Sequence, residues 1–233
     1  MKRIGVLYPS SGLAEEEIRK VIPDSISVHV TRIPMSEPTY EAEWQMADNV
    51  EVAAGLLADA KVDIIGFACT TGSFIKGKGY DQEIIDRIVQ ATGVPATTST
   101  TAILEGLGVL GIKKLVMLSA YTKRMNEIEL TFFKEMGFET LEHKGLSLGD
   151  CVLQYDVSPS RWQAIIKEME HPDADGYLIS CGGIRAVDII EQTEQDIGKP
   201  VLTSNQALAW HCLRKMGVQD EIGGFGDLLK RPL

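Results

Sequence analysis

Short apolar runs alternate along the whole chain with segments in which apolar residues recur at helical spacing. A continuous apolar run such as Val62–Ala68 is typical of a strand buried on both faces of a parallel sheet. Tyr80–Thr92 instead carries its isoleucines on one stripe and stops at Gly93, which is typical of an amphipathic helix. The predicted strands are Ile4–Tyr8, Ile26–Ile33, Val62–Ala68, Val94–Thr98, Lys114–Ser119, Phe138–Leu141, Gly176–Ser180 and Lys199–Ser204. The predicted helices are Trp44–Ala60, Tyr80–Thr92, Arg124–Met136, Pro159–Glu170 and Val187–Ile197, with a further one near Ser99.

This alternation predicts an α/β fold, in which helices cover both faces of parallel sheet and the crossovers are right-handed. The order of elements then repeats, and Lys199–Ser204 echoes Gly93–Thr98 late in each copy. The repeat favours two α/β halves over one open sheet. We expect residues 1–112 plus 205–233 to form the first half and residues 113–204 the second. No low-complexity linker separates them, so the halves should be tightly joined.

The clearest part of the repeat is centred on two cysteines. Asp63–Thr70 reads DIIGFACT and Asp175–Gly182 reads DGYLISCG, so Cys69 and Cys181 are 112 positions apart, as are the two acids. A thiol at the carboxyl end of a buried strand, beside a turn of small residues, is well placed to act as nucleophile or proton donor. Two such thiols related by a repeat predict a site between the halves, with one thiol on each side.

Composition and charge narrow the class of partner. The chain has 233 residues, 44% of them hydrophobic, and a net charge of −10 without any block of lysine or arginine. We therefore expect no nucleic-acid or anionic-membrane surface, although a local pocket for a small anion remains compatible with this charge. No apolar run approaches the roughly 20 residues of a membrane span. The N-terminus enters a strand without a signal-peptide pattern, so we expect a cytoplasmic protein.

Metal and nucleotide sites have little support. The four cysteines show no C-x-x-C spacing and are predicted to be free thiols, and the four histidines form no metal-binding pair. Gly106–Gly111 matches G-x-G-x-x-G, but it ends a helix and leads into a strand, the reverse of a dinucleotide site. Gly72–Lys78 matches G-x-x-x-x-G-K, but Gly79 replaces the hydroxyl residue that would hold magnesium. We expect no cofactor and no metal.

The loop after the first cysteine is the strongest candidate site. Cys69 is followed by Thr70 and Thr71, whose hydroxyl and N–H groups can bind an anion. Such surroundings are also able to lower the pKa of a thiol from its free value near ~8.5. The alternative is a buried structural cysteine, the commonest fate of a free cysteine in a core.

The loop after the second cysteine is also a candidate anion-binding site, although it contains fewer polar side chains. Gly182 follows Cys181, which lets the backbone approach a ligand and point N–H groups at a carboxylate. The alternative is a tight turn that needs glycine for packing. Cys212 is predicted to be a core residue. Cys151 lies in a turn-like stretch, and no other candidate catalytic or binding residue accompanies it.

The loops that follow the first strand of each half offer further polar groups. Ser10 and Ser11 lie in the first of these loops and Tyr121 in the second, and Asn126 is a weaker candidate nearby. If the repeat holds, all of them lie at the sheet edge that carries the cysteines and could bind carboxylate oxygens. Arg185 is the one arginine near a cysteine loop; if it faces outward, recognition must rest on hydroxyl and N–H groups.

The chain resembles the aspartate/glutamate racemase superfamily, in its arylmalonate decarboxylase and maleate cis–trans isomerase branch. The resemblance runs nearly end to end. It is carried by Pro9–Gly12, Cys69–Phe74, Thr97–Ala102, Ala120–Tyr121 with Asn126, Ser180–Gly183 and Gly223–Gly226. It implies two pseudo-symmetric Rossmann-like halves with the active site between them and cofactor-independent chemistry. Members are often dimers, so a homo-oligomer is possible.

Some positions of the chain match the maleate isomerases of this branch, and others match the decarboxylase. Racemases and maleate isomerases carry two cysteines that match Cys69 and Cys181, whereas the decarboxylase has glycine in place of Cys69. Gly12 is closer to the decarboxylase, because maleate isomerases typically carry asparagine there. Ser180–Gly183 is closer to it too, since the isomerases have Cys-Thr-Asn from the second cysteine onward.

The resemblance implies an isomerase or racemase that acts next to a carboxylate of a small mono- or dicarboxylic acid, in the manner of maleate cis–trans isomerase. Cys69 and Cys181 would be catalytic, and Thr70, Thr71, Tyr121 and the Gly182 N–H would hold the substrate. One alternative is decarboxylation of a substituted malonate, with Cys181 as proton donor. Another is a non-catalytic protein that binds small anions, which the fold alone does not exclude.

Overall fold

A computed structural model describes all 233 residues as eight strands and eleven α-helices. The strands are β1 Arg3–Pro9, β2 Ser27–Ile33, β3 Ile64–Phe67, β4 Ala96–Thr98, β5 Lys114–Ser119, β6 Glu139–Gly145, β7 Gly176–Ser180 and β8 Val201–Thr203. The first helices are α1 Glu15–Val21, α2 Tyr40–Gln45, α3 Val50–Asp59, α4 Thr70–Phe74, α5 Tyr80–Thr92 and α6 Ser99–Val109. The others are α7 Lys123–Glu135, α8 Cys151–Asp156, α9 Pro159–Glu168, α10 Ile190–Ile197 and α11 Ser204–Lys215.

The strands form two separate four-stranded sheets with the same topology. The first has the order β2-β1-β3-β4 and the second β6-β5-β7-β8, and all neighbouring strands are parallel. In each half the cysteine follows the third strand in chain order, β3 or β7, which lies inside its sheet. The prediction of two α/β halves is confirmed.

The acids that open the two repeats have matching structural roles. The Asp63 carboxylate accepts a hydrogen bond from the Arg3 N–H at 2.7 Å, and the Asp175 carboxylate accepts one from the Lys114 N–H at 2.7 Å. Each acid thereby ties the start of its cysteine strand to the first strand of the same half. The repeat seen in the sequence is therefore also a repeat of equivalent structural positions.

One hydrophobic core runs through both halves. A single cluster of 67 buried residues includes strand residues of both sheets. Helix α11 packs against α1, α6, β3 and β4, and also against β8 of the second sheet. The buried Glu17 of α1 also joins the halves, because its carboxylate accepts the N–H groups of Ala186 and Val187 at 2.6 and 2.8 Å. No helix is both long and apolar enough to cross a membrane.

Two segments differ from their predicted form. The helix predicted for 44–60 corresponds to α3, and residues 44 and 45 belong instead to the end of a separate helix, α2, which a turn separates from α3. At that turn the Ala47 carbonyl accepts a hydrogen bond from the Arg87 guanidinium at 2.8 Å, a contact between distant segments. The turn-like stretch at Cys151 is the helix α8, whose N-cap Asp150 accepts the N–H groups of Val152 and Leu153.

Candidate active site

The carboxyl ends of β3 and β7 meet at a cavity between the two sheets. It contains about 530 Å³ of space not filled by protein atoms, part of it open to solvent. The first half lines it with Tyr8, Pro9, Gly12, Met35, Pro38, Glu43, Ala68, Cys69, Thr70 and Thr71. The second half lines it with Tyr121, Thr122, Met125, Leu148, Cys151, Gln154, Cys181, Gly182 and Gly183. Both predicted thiols therefore line one cavity, each from its own half.

Cys69 forms the N-cap of α4 and is 5% exposed. Its Sγ donates a hydrogen bond to Oε2 of Glu43 at 3.0 Å and accepts one from the Gly72 N–H at 3.4 Å. Glu43 lies on α2 and is itself 5% exposed. The thiol is thus held between a backbone donor and a buried carboxylate.

This environment raises the pKa of the Cys69 thiol well above its ordinary value, first through burial and then through the negative charge of Glu43. Burial also raises the pKa of the Glu43 carboxyl, against hydrogen bonds from Cys69, Thr71 and Gly72 that lower it. The prediction of a lowered thiol pKa is wrong. Loss of water outweighs the donors of the loop, and a neighbouring acid adds to the same effect.

Cys181 lies at the end of β7 in a different setting. Its Sγ donates to Oε1 of Gln154 at 3.4 Å and accepts from the Gly183 N–H at 3.3 Å. Burial raises the pKa of this thiol to about 12, so it stays protonated at neutral pH. Its φ of 155° is a conformation that residues other than glycine rarely adopt, and such strain is concentrated at functional sites.

Four of the predicted binding residues also line the cavity: Thr70, Thr71, Tyr121 and Gly182. The Thr70 Oγ1 is buried and has no hydrogen-bond partner in the chain. The Gly182 N–H donates to no other group of the chain either. A buried hydroxyl without a partner is costly, and a ligand in the cavity could pair with both this hydroxyl and the free N–H of the half-buried Gly182.

The other predicted binding residues do not line the cavity. The Ser10 hydroxyl exchanges hydrogen bonds with the backbone of Met35, and Ser11 contacts the Cys151 thiol at 3.3 Å. Asn126 supports Tyr121 from behind, since its amide donates to the Tyr121 carbonyl at 3.0 Å. Their polar atoms are engaged in holding neighbouring loops, and this placement gives no support for direct substrate contact.

Arg185 faces away from the cavity. Its Nε donates to the Tyr155 carbonyl at 2.9 Å and its guanidinium lies over the Tyr155 ring. The cavity lining contains no lysine, arginine or histidine at all. A bound anion would therefore be held by neutral hydroxyl and N–H donors. No group of three or more His, Cys, Asp or Glu side chains is arranged to hold a metal ion.

Sequence reasoning missed five polar residues of the cavity: Tyr8, Glu43, Thr122, Cys151 and Gln154. Glu43 stands on α2, just before the helix predicted for 44–60, and Gln154 stands on α8, where a turn-like stretch was predicted at Cys151. The Asp150 N-cap before α8 was the one local signal that could have found Gln154. Nothing in the sequence around Glu43 indicates that this acid is buried.

Tyr8 explains why position 12 is a glycine. A Cβ atom at Gly12 would lie 2.3 Å from the Tyr8 ring, so the tyrosine occupies the space that a side chain at position 12 would need. The Tyr8 hydroxyl donates to the Gly182 carbonyl at 2.8 Å and accepts the Ala14 N–H at 3.1 Å. Tyr8 therefore links the first half to the Cys181 loop.

A second buried acid lies behind the Cys181 strand. Glu129 on α7 is fully buried and neither of its carboxyl oxygens makes a hydrogen bond. Burial raises its pKa to about 8, and the nearby Ser180 hydroxyl, which itself donates to Tyr121 at 3.4 Å, opposes part of this shift. Glu129 is therefore mostly protonated at neutral pH.

Comparison with known proteins gives one consistent family. The model of the arylmalonate decarboxylase family matches residues 4–229. A maleate isomerase of Pseudomonas putida is 28% identical, over 97% of this chain and 96% of its own. The arylmalonate decarboxylase of Bordetella bronchiseptica is also 28% identical, over 91% of this chain and 89% of its own.

Solved structures agree with the sequence relatives. The crystal structure of a variant of the maleate isomerase Iso from Pseudomonas putida S16, determined with maleate, superimposes with a TM-score of 0.94. It is 26% identical, and the match covers 98% of this chain and 97% of that chain. The resemblance inferred from the sequence motifs is confirmed.

Proposed function

The chain belongs to the arylmalonate decarboxylase family, and from this premise we propose that it is a cofactor-independent two-cysteine isomerase of a small unsaturated dicarboxylate, of the maleate cis–trans isomerase type. The observation that carries the proposal is the pair of buried thiols, Cys69 and Cys181, which line one cavity from opposite halves. Maleate isomerases recur among the relatives of this chain over nearly its whole length.

The different surroundings of the two thiols favour an addition mechanism with distinct roles. Cys69 contacts a carboxylate that can accept its proton, whereas Cys181 contacts the neutral Gln154 amide and keeps its own. In this mechanism the Cys69 sulfur bonds to one olefinic carbon, and the π electron pair moves to the neighbouring carbon. Cys181 then donates its proton to that neighbouring carbon. Rotation about the new single bond, return of the proton to Cys181 and breakage of the C–S bond release the trans isomer.

Neutral donors would hold the two carboxylates and the charge that develops on them. The unpaired Thr70 hydroxyl and Gly182 N–H are the best placed, and Thr71 and Tyr121 lie beside them in the lining. Such donors stabilise an enolate-like intermediate best in a site from which water is excluded. The absence of a lysine or arginine clamp fits a substrate that must turn about a bond while it is held.

The test follows maleate with the purified protein by proton NMR in D₂O. We expect the maleate olefin signal to be replaced by that of fumarate. Cys69→Ala and Cys181→Ala should each lower kcat at least about a thousandfold, because each removes a reacting group. Cys212→Ala is the matched control: this thiol is buried away from the cavity and its loss should leave kcat within about threefold.

Decarboxylation of a substituted malonate is the second candidate, favoured by the glycines at positions 12, 182 and 183 and by the apolar side chains of the lining, among them Met35, Met125 and Leu148. A parallel sample with phenylmalonate tests it. Formation of monodeuterated phenylacetate, with retention of that activity in Cys69→Gly, would replace the isomerase proposal by a decarboxylase. Saturable maleate binding without turnover in either sample would instead indicate a binding protein.

A further inference from the structure

Glu43 is a buried acid whose position is not explained by packing alone. It stands on α2 with its Oε2 3.0 Å from the Cys69 Sγ, and both residues are 5% exposed. It takes part in no salt bridge within 4.0 Å. A buried carboxylate without a cation is costly, so its retention beside a reactive sulfur points to chemistry.

The groups that face Glu43 come from four other elements, and none of them is a cation. Besides Cys69, they are Tyr121 after β5, Cys151 on α8 and Cys181 after β7; burial raises the pKa of each of them, and the Glu43 charge adds a smaller effect in the same direction. The cations near α2 lie on its outer face. Arg124 sits over Tyr40 and pairs with Glu41, and Lys76 lies over the Trp44 ring.

We propose that Glu43 is the general base of the reaction: its carboxylate takes the proton of Cys69 as the sulfur bonds to the substrate, and returns it when that bond breaks. The proposal rests on the isomerase function proposed above. The S–H electron pair stays on sulfur and becomes the nucleophile, and the proton remains on Oε2 of Glu43 while the substrate is attached. No external acid, base or oxidant is required.

This proton transfer solves an electrostatic problem of the cavity. If Cys69 released its proton to bulk water, a second negative charge would lie beside Glu43 and a dianionic substrate. No cation in the cavity lining would offset it. Transfer to Glu43 moves the existing charge from oxygen to sulfur, so the pair carries one negative charge before and after. The neutral carboxyl can then donate a hydrogen bond towards a substrate carboxylate.

Glu43→Gln keeps the shape of the side chain and removes the proton acceptor. We expect its kcat for maleate near neutral pH to fall about a hundredfold or more, the usual contribution of a general base. The KM should stay the same or fall, because the variant also removes a negative charge from the cavity. Glu43→Asp, which keeps the carboxylate on a shorter stem, should recover part of the loss.

A second readout does not depend on turnover: the rate at which iodoacetamide alkylates Cys69, measured by peptide mapping between about pH 6 and about pH 9. In the unaltered protein the reactive form is thiolate plus neutral carboxyl. Its fraction is constant once the pair has lost its first proton, so the rate should level off. In Glu43→Gln the rate should instead keep rising about tenfold per pH unit.

Glu41→Gln is the matched control, because Glu41 lies on the same helix with a side chain that is 73% exposed. It should leave kcat and the alkylation profile unchanged. The proposal is overturned if Glu43→Gln retains the parental kcat, or if alkylation of Cys69 in the unaltered protein rises with pH as steeply as in Glu43→Gln. If the unaltered protein does not turn over maleate, the isomerase proposal fails, while the alkylation profile still decides whether Glu43 holds the Cys69 proton.

Discussion

At the scale of single residues, burial rather than local donors controls the ionisation of the site. Cys69, Cys181, Tyr8 and Tyr121 all have their pKa raised, and burial is the largest cause for each of them. All four should be protonated in the resting protein at neutral pH. A thiol can then become a nucleophile only where an acceptor for its proton lies in contact with it.

The pH dependence of the free energy of unfolding, through Glu129, tests whether burial controls ionisation in this region. The pKa of its carboxyl is about 8 in the folded protein, against 4.5 ordinarily. The folded state therefore holds a proton that the unfolded chain releases, and the stability linked to it is complete below about pH 4.5 and is lost as the pH rises to about 8. Glu129→Gln needs no such proton. We expect it to raise the free energy of unfolding by about 3 kcal/mol at pH 7 and to have little effect near pH 4.

The measurement is urea unfolding of both proteins at the two pH values. Glu127→Gln, on the same helix but exposed to solvent, is the control and should change stability by less than about 0.5 kcal/mol at either pH. An effect of Glu129→Gln that is equal at both pH values would mean that the carboxyl is charged in the folded protein at neutral pH.

At the scale of elements, the two short helices α2 and α8 complete a site that the strands begin. The strands and their cysteines could be predicted, because buried parallel strands leave continuous apolar runs and the internal repeat aligns Cys69 with Cys181. Glu43 and Gln154 could not, because short helices are fixed by contacts between distant segments, such as that of Arg87 with the Ala47 carbonyl. The direction of the thiol pKa was mispredicted for the same reason, since burial is not visible in a loop sequence.

Helix α1 carries the contact that most directly joins the two halves. Glu17→Ala would leave the buried N–H groups of Ala186 and Val187 without an acceptor. Each such group costs about 1–3 kcal/mol, so for the two groups we expect a loss of about 2–6 kcal/mol in the free energy of unfolding. Chemical denaturation checks this against Glu16→Ala, whose side chain accepts one hydrogen bond from Tyr155 and whose loss should cost about 1 kcal/mol or less. Equal losses in the two variants would argue against the role given to Glu17.

At the scale of the whole molecule, the continuous core predicts that the halves unfold together. The buried cluster includes residues of both sheets, and α11 packs against strands of each. We expect one thermal transition, with the same midpoint for helix content by circular dichroism and for the environment of the buried Trp162 and Trp210 by fluorescence. Two separated midpoints would mean that the halves are independent units. The chain boundaries proposed for the halves, 1–112 plus 205–233 and 113–204, remain a prediction.

In the proposed mechanism Cys69 bonds to the substrate while Cys181 supplies the proton on the other side. Peptide mapping of Cys181→Ser after long incubation with maleate tests this step: water supplies the proton slowly in place of Cys181, and the adduct then persists because no thiolate is present to take that proton back before release. We expect an adduct of the mass of one maleate on the peptide that contains Cys69, and none on Cys151 or Cys212. Turnover of maleate by the unaltered protein without any adduct on Cys69 in the variant would contradict it.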